Sequence, residues 1–115
     1  MANIVKLSPN QILLNEGEHS RSMYWVQSGQ LVVTKKRGNE DVILGHVYTG
    51  ELVGEISFLD KESRSATVKA TIESELIVIP QETFDNIFKG QPKWLDILVK
   101  TLAERLRKAN ARIKI

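Results

Sequence analysis

Along the first three quarters of the chain, apolar positions come in short runs cut off by glycine and polar clusters. Gln11–Asn15 is one such run, closed by Glu16-Gly17-Glu18, and Met23–Gln27 is a second, ended by Ser28-Gly29. Gln30–Thr34 and Asp41–Val47 flank Lys35-Lys36-Arg37-Gly38-Asn39-Glu40, a charged tip with Gly-Asn at its centre. That arrangement predicts a β-hairpin with a solvated loop. Ala66–Thr71 and Glu75–Ile79 supply two further strands. Strands this short and this closely spaced predict an all-β sandwich or barrel over about residues 4–80.

After Pro80 the period of the pattern changes. Gln81–Lys89 reads as a short helix, broken by Gly90-Gln91-Pro92. Pro92 suits the first turn of a second helix, where its missing N–H is not needed. From there Leu95, Leu98, Leu102, Leu106, Ala109 and Ile113 recur at steps of three or four, an apolar stripe along about five turns. Such a stripe either covers its own β-domain or leaves its outer part as a seam for a homodimer; the pattern leaves both open. The expected fold class is mainly β with C-terminal helices at about residues 81–113.

Length and composition narrow the setting. The 115 residues, 42% hydrophobic and 26% charged, suit one globular domain spanning 1–115. No run approaches the roughly 18 apolar residues of a membrane span, and Met1–Asn10 lacks the layout of a secretory signal. With no cysteine, disulfides, thiolate catalysis and cysteine-ligated zinc are excluded. These features fit a cytoplasmic protein. The net charge of +2 is uneven: Lys100–Ile115 holds six basic residues against Glu104, a net +5. A basic tail suits nucleic acid or an acidic surface. It equally suits a solvated helix face whose C-terminal end favours cations, the reading preferred here for want of any accompanying recognition motif.

The chemistry concentrates between Gly50 and Val68. Gly54 precedes a short apolar piece suited to one helical turn, and Arg64 stands directly before a strand that enters the core. An arginine there either points to solvent or pairs with an anion. Amides freed at the start of the short helix suit the same anion, so guanidinium and helix start together make a phosphate site.

Gly54-Glu55, the short helix, the loop and Arg64-Ser65-Ala66-Thr67-Val68 resemble the phosphate-binding cassette of the cyclic-nucleotide-binding domain family. Its members include catabolite activator proteins, regulatory subunits of cyclic-AMP-dependent protein kinase and cyclic-nucleotide-gated channels. The spacing from Glu55 to Arg64 is that of the kinase and channel members, which leaves Gly50-Glu51 as the turn before the cassette. Glu16-Gly17-Glu18, Ser22-Met23-Tyr24-Trp25-Val26, Ser28-Gly29 and the tip at Gly38-Asn39 extend the likeness over roughly Ile4–Arg107. Asn10, where a glycine is common, and Ser63, where eukaryotic members often have proline, depart from the pattern.

The resemblance implies a double-stranded β-helix, or jelly-roll-like β-roll, with no catalytic machinery, cofactor or metal. Its ligand would be cyclic AMP or cyclic GMP. Arg64 would pair with the cyclic phosphate, joined by the Ile56 and Ser57 amides, by Ser65 and by Ala66. The Ser65 hydroxyl would serve the phosphate or the amino group of a syn guanine. Glu55 would accept a hydrogen bond from the ribose 2′-hydroxyl, and Gly54 would let the backbone approach the sugar. Val33, Leu44, Gly45 and Val68 stand where the family packs the purine, though core packing suits each equally. The long C-terminal helix would close over the base and carry the signal to a partner or an output domain.

Three other readings remain. A degenerate domain of the same fold would serve as an interaction or dimerisation module, but such domains usually lose the glutamate or arginine that this chain keeps. A metal-dependent cupin needs clustered histidines, and His19 and His46 stand far apart. A transcription activator follows its long helix with a helix-turn-helix. Without one, this chain is expected to touch no nucleic acid directly and to act through a partner or as the sensor part of a longer protein.

Overall fold

The computed structural model describes residues 3–19 and 22–112; Ile113, the end of the apolar stripe, lies outside them. Among the described residues the elements run β1 (Asn3–Leu7), β2 (Ile12–Leu14), β3 (Ser22–Ser28), β4 (Gln30–Arg37), β5 (Glu40–Tyr48), β6 (Leu52–Val53), α1 (Glu55–Asp60), β7 (Thr67–Ala70), β8 (Ser74–Pro80), α2 (Gln81–Phe88) and α3 (Lys93–Arg112). Two four-stranded antiparallel sheets form, in the orders β1-β8-β3-β6 and β2-β7-β4-β5. This is the expected β-roll with C-terminal helices. Its surprises are β1, which pairs along its whole length with β8, and the two-residue β6 on β3.

Local chemistry explains the elements. In β7, Val68 and Ala70 turn inward while Thr67 and Lys69 are less buried, the two-residue alternation of a strand with one core face. Leu7, Leu14, Val26, Leu31, Val53, Val68, Ala70 and Leu76 form the core cluster, each leucine and valine worth about 1.5–3 kcal/mol on burial. The β4–β5 hairpin turns on Gly38-Asn39, with Gly38 at φ 66° and Asn39 outside the positive-φ set. A glycine alone at positive φ in first place is the signature of a type II′ hairpin turn. Asn10 has φ 71°, the left-handed region that asparagine tolerates best after glycine. That explains the departure from glycine there.

Among the described residues of the helical stripe read from the sequence, only Leu95 turns inward. Leu95, Val99, Ala103 and Arg107 recur at four-residue steps on the inner face, with Ala103 only 1% exposed, and α3 packs against α1. Leu98, Leu102 and Leu106 remain 46–51% exposed and Ala109 is exposed as well, so the face that covers the domain is offset from the stripe, which points mostly outward. No helix among the described residues is long and apolar enough to cross a membrane.

Candidate functional site

One face of the second sheet prepares the site. The register sets Leu14 opposite Val68, Val68 opposite Val33, and Val33 opposite Gly45. Directly opposed residues share a face, so these four form a row across all four strands. At its β5 end the missing side chain of Gly45 leaves open space: a Cβ there would meet nothing within 4 Å. The next residue back is the extra one of a β-bulge, because Val33 pairs with Gly45 but Thr34 pairs with Ile43. Bulges re-aim a side chain, and Leu44 lines the same cavity.

That cavity, about 620 Å³, lies between the sheet and α1, and its lining includes Val33, Leu44, Gly45, Gly54, Glu55, Ile56, Ser57, Arg64, Ser65, Ala66 and Val68. All the residues singled out from the sequence therefore meet in one place. Lys35, His46 and Arg107 also line it and were not singled out. For Arg107 a signal existed: it falls one four-residue step beyond Ala103, on the inner face of α3.

α1 contributes the wall that carries polar groups. Gly54 at φ 79° caps its start, and the helix ends at Lys61, whose N–H donates to Ser57 O. Phe58 N–H makes the first bond back, to Gly54 O, so the amides of Ile56 and Ser57 precede the first helical bond. Phe58, on the other side, is fully buried. Its ring meets Phe84 of α2 edge-on at 5.0 Å, and Phe84 stacks on Phe88 at 4.5 Å.

Arg64 is the unusual residue. It is 3% exposed, so the choice between solvent and an anion falls against solvent. Its backbone is pinned to the loop after β2: Arg64 N–H donates to Glu18 O at 2.9 Å, and Arg64 O accepts from Gly17 N–H at 2.8 Å. Nη1 donates to Gly54 O at 2.8 Å and to Ser57 Oγ at 2.6 Å, and Nη2 donates to Ser22 O. Nε is buried without a partner among the described residues. Burial pulls the guanidinium below its ordinary value, with Tyr24, Glu18 and Glu55 opposing the shift; an arginine nonetheless keeps its proton in a protein. Its side-chain partners among the described residues are neutral oxygens, so a buried cation lines the cavity with no bonded carboxylate among them.

Gly54 has a further reason to be glycine. A Cβ there would lie 2.7 Å from Nη1 of Arg64 and 3.2 Å from Leu14 Cδ1. The bare backbone admits the guanidinium, a constraint that the sequence reading, concerned with a sugar, did not anticipate. Among the described residues no cluster of histidine, aspartate and glutamate could hold a metal ion.

Known proteins share this design. The sequence model of the cyclic nucleotide-binding domain matches residues 4–91. Lysophospholipase nte1 of Aspergillus fumigatus is 29% identical over 104 residues, 90% of this chain but only 7% of the lysophospholipase. The cAMP-bound EAL enzyme Bd1971 superposes with a TM-score of 0.87 at 25% identity, covering 95% of this chain and 29% of that one; the same enzyme is known in a cGMP-bound form. The catabolite activator protein of Thermus thermophilus gives 0.77 at 27% identity over 96% of this chain and 52% of its own. The chain thus spans a small fraction of the curated relatives it matches and half or less of most of the structural ones. With the family pattern matched across both the roll and the cassette, this chain belongs to the cyclic nucleotide-binding domain family.

Proposed function

We propose that the chain, as one domain over 1–115, is a cyclic-nucleotide sensor with no chemistry of its own, working in the cytoplasm. Arg64 takes the cyclic phosphate, aided by the Ile56 and Ser57 amides, Ser65 and Ala66. Glu55 accepts the ribose 2′-hydroxyl beside Gly54, and the purine rests on Val33, Leu44, Gly45 and Val68. The observation that carries this reading is Arg64, a buried guanidinium at a cavity whose Nε has no partner among the described residues. An orphaned buried donor costs about 1–3 kcal/mol, and an anion there removes that cost. The cAMP- and cGMP-bound states of Bd1971 support the ligand class.

The signal leaves through α1. One side of this helix lines the cavity and the other carries Phe58 against α2, with α3 alongside. A ligand that favours one position of α1 shifts the helices with it, Arg107 closing over the base, and the output passes to an effector partner or an attached domain. Calorimetry with cyclic AMP, cyclic GMP and 5′-AMP tests the binding. Saturable binding of a cyclic nucleotide, absent for 5′-AMP, is expected; no heat from folded, ligand-free protein would end the reading. Glu55→Gln should weaken cyclic AMP about tenfold to a hundredfold and leave 2′-deoxy cyclic AMP nearly unaffected.

A dimerisation role rests on a separate observation. Leu98, Leu102 and Leu106 recur at four-residue steps and stay about half exposed, a seam fit for the same helix of a second copy. Sedimentation should show a dimer that Leu102→Glu converts to monomer. A monomeric wild type would remove this part and leave the sensor reading intact.

A further inference from the structure

The donors of Arg64 divide into two sets. A guanidinium has five N–H groups. Both hydrogens of Nη1 are engaged, by Gly54 O at 2.8 Å and Ser57 Oγ at 2.6 Å, and one hydrogen of Nη2 by Ser22 O. Among the described residues this leaves Nε–H and the second hydrogen of Nη2. In a guanidinium, Nε and Nη2 share the edge that grips an anion in a two-point fork. The chain thus fills both donors of Nη1 and leaves Nε–H, on this other edge, without an acceptor among the described residues.

Ser57 is the side chain that does the holding. It is 4% exposed, and its hydroxyl proton is directed to Gly54 O at 3.4 Å while its oxygen accepts from Nη1. A hydroxyl has one proton, so in this arrangement the side chain has none to offer a ligand. Gly54 O, Ser57 Oγ and Nη1 close a small triangle that fixes the plane of the guanidinium. Removing the hydroxyl leaves Nη1 with Gly54 O alone and the group freer to turn.

Resting on the reading of Arg64 as the phosphate residue, we infer that the Ser57 side chain is a positioning residue. It contributes to binding by locking Nη1 of Arg64 so that Nε and Nη2 face the phosphate. This role is separate from that of the Ser57 amide, which Ser57→Ala retains.

The test is a double-mutant cycle with cyclic AMP over wild type, Ser57→Ala, Arg64→Lys and the double variant, the weak binders titrated by NMR into the millimolar range. Ser57→Ala should weaken binding by roughly fivefold to tenfold. In the Arg64→Lys background, where no Nη1 exists to hold, it should cost under about twofold. Equal losses in both backgrounds would mean that Ser57 meets the ligand directly, and no loss in either would mean that it holds nothing; each overturns the inference. A second readout uses the ligand-free protein. The Arg64 Nε–H resonance should be sharp in wild type and broadened in Ser57→Ala, and an unchanged resonance would also overturn the lock. If wild type binds no nucleotide, the proposed function falls, while this resonance still decides whether Ser57 holds Arg64.

Discussion

Two corners of the molecule are built alike and finished differently. At one, Gly29 at φ 116° lies against Ser74, so close that a Cβ would be 2.0 Å from Oγ; at the other, Gly54 at φ 79° lies against Arg64. Ser74 is 1% and Arg64 3% exposed. Ser74 Oγ donates to Ile72 O at 2.9 Å and accepts from Gln30 N–H at 3.2 Å, so its donor is used within the chain. Arg64 keeps Nε without a partner among the described residues. Both corners need a glycine to admit a buried polar side chain. Only the second leaves that side chain incomplete among the described residues, and incompleteness, more than burial or polarity, is what marks it as the proposed ligand site.

The sharpest way to break this contrast is Arg64→Ala. It should cost about 3–5 kcal/mol of nucleotide affinity, because a phosphate would enter the cavity with no paired cation; calorimetry that finds binding intact would make Arg64 a structural residue like Ser74. Gly29→Ala comes next. Forcing a Cβ into Ser74 at a left-handed backbone position should lower stability by roughly 2–4 kcal/mol, read from urea unfolding, with the affinity of the folded protein unchanged. The same substitution at Gly54 should show itself mainly in affinity, since the Cβ displaces the guanidinium. Smallest is Ser74→Ala, expected to cost about 1–2 kcal/mol of stability by leaving Gln30 N–H without its acceptor, again without effect on binding. An affinity loss at Ser74 larger than at Gly54 would reverse the assignment of the two corners.

The parts of this design legible in the sequence were those written locally. The hairpin tip at Gly38-Asn39, the breaks at Gly29 and Gly90, and the change of period after Pro80 each depend on residues close in the chain. The cassette was legible as a motif, although its motif says nothing of Arg64 reaching Ser22 O and Gly54 O, contacts that only the closed roll creates. β1 escaped notice because Asn3–Leu7 carries no turn signal before it and gains strand character by pairing with β8. The stripe on α3 was visible as a period. Which of its edges turned inward depended on α1, whose position no spacing in α3 records. Leu44 was placed near the base by resemblance, but the bulge that aims it is a mismatch of register between two strands.

The pairing of β1 with β8 also bears on how this protein comes into being. Among the described residues β1 finds its one sheet neighbour in β8, register by register from Asn3 with Val78 to Leu7 with Ser74. Chains dominated by such distant pairings fold slowly, because the loop must close before the contacts reward it. On a ribosome, β1 therefore waits until Pro80 has been synthesised. Arg64, anchored to Gly17 and Glu18, reaches its final setting only in a nearly finished roll. A nascent or half-unfolded chain offers no complete site, so a ligand that fits the cavity stabilises the finished fold alone.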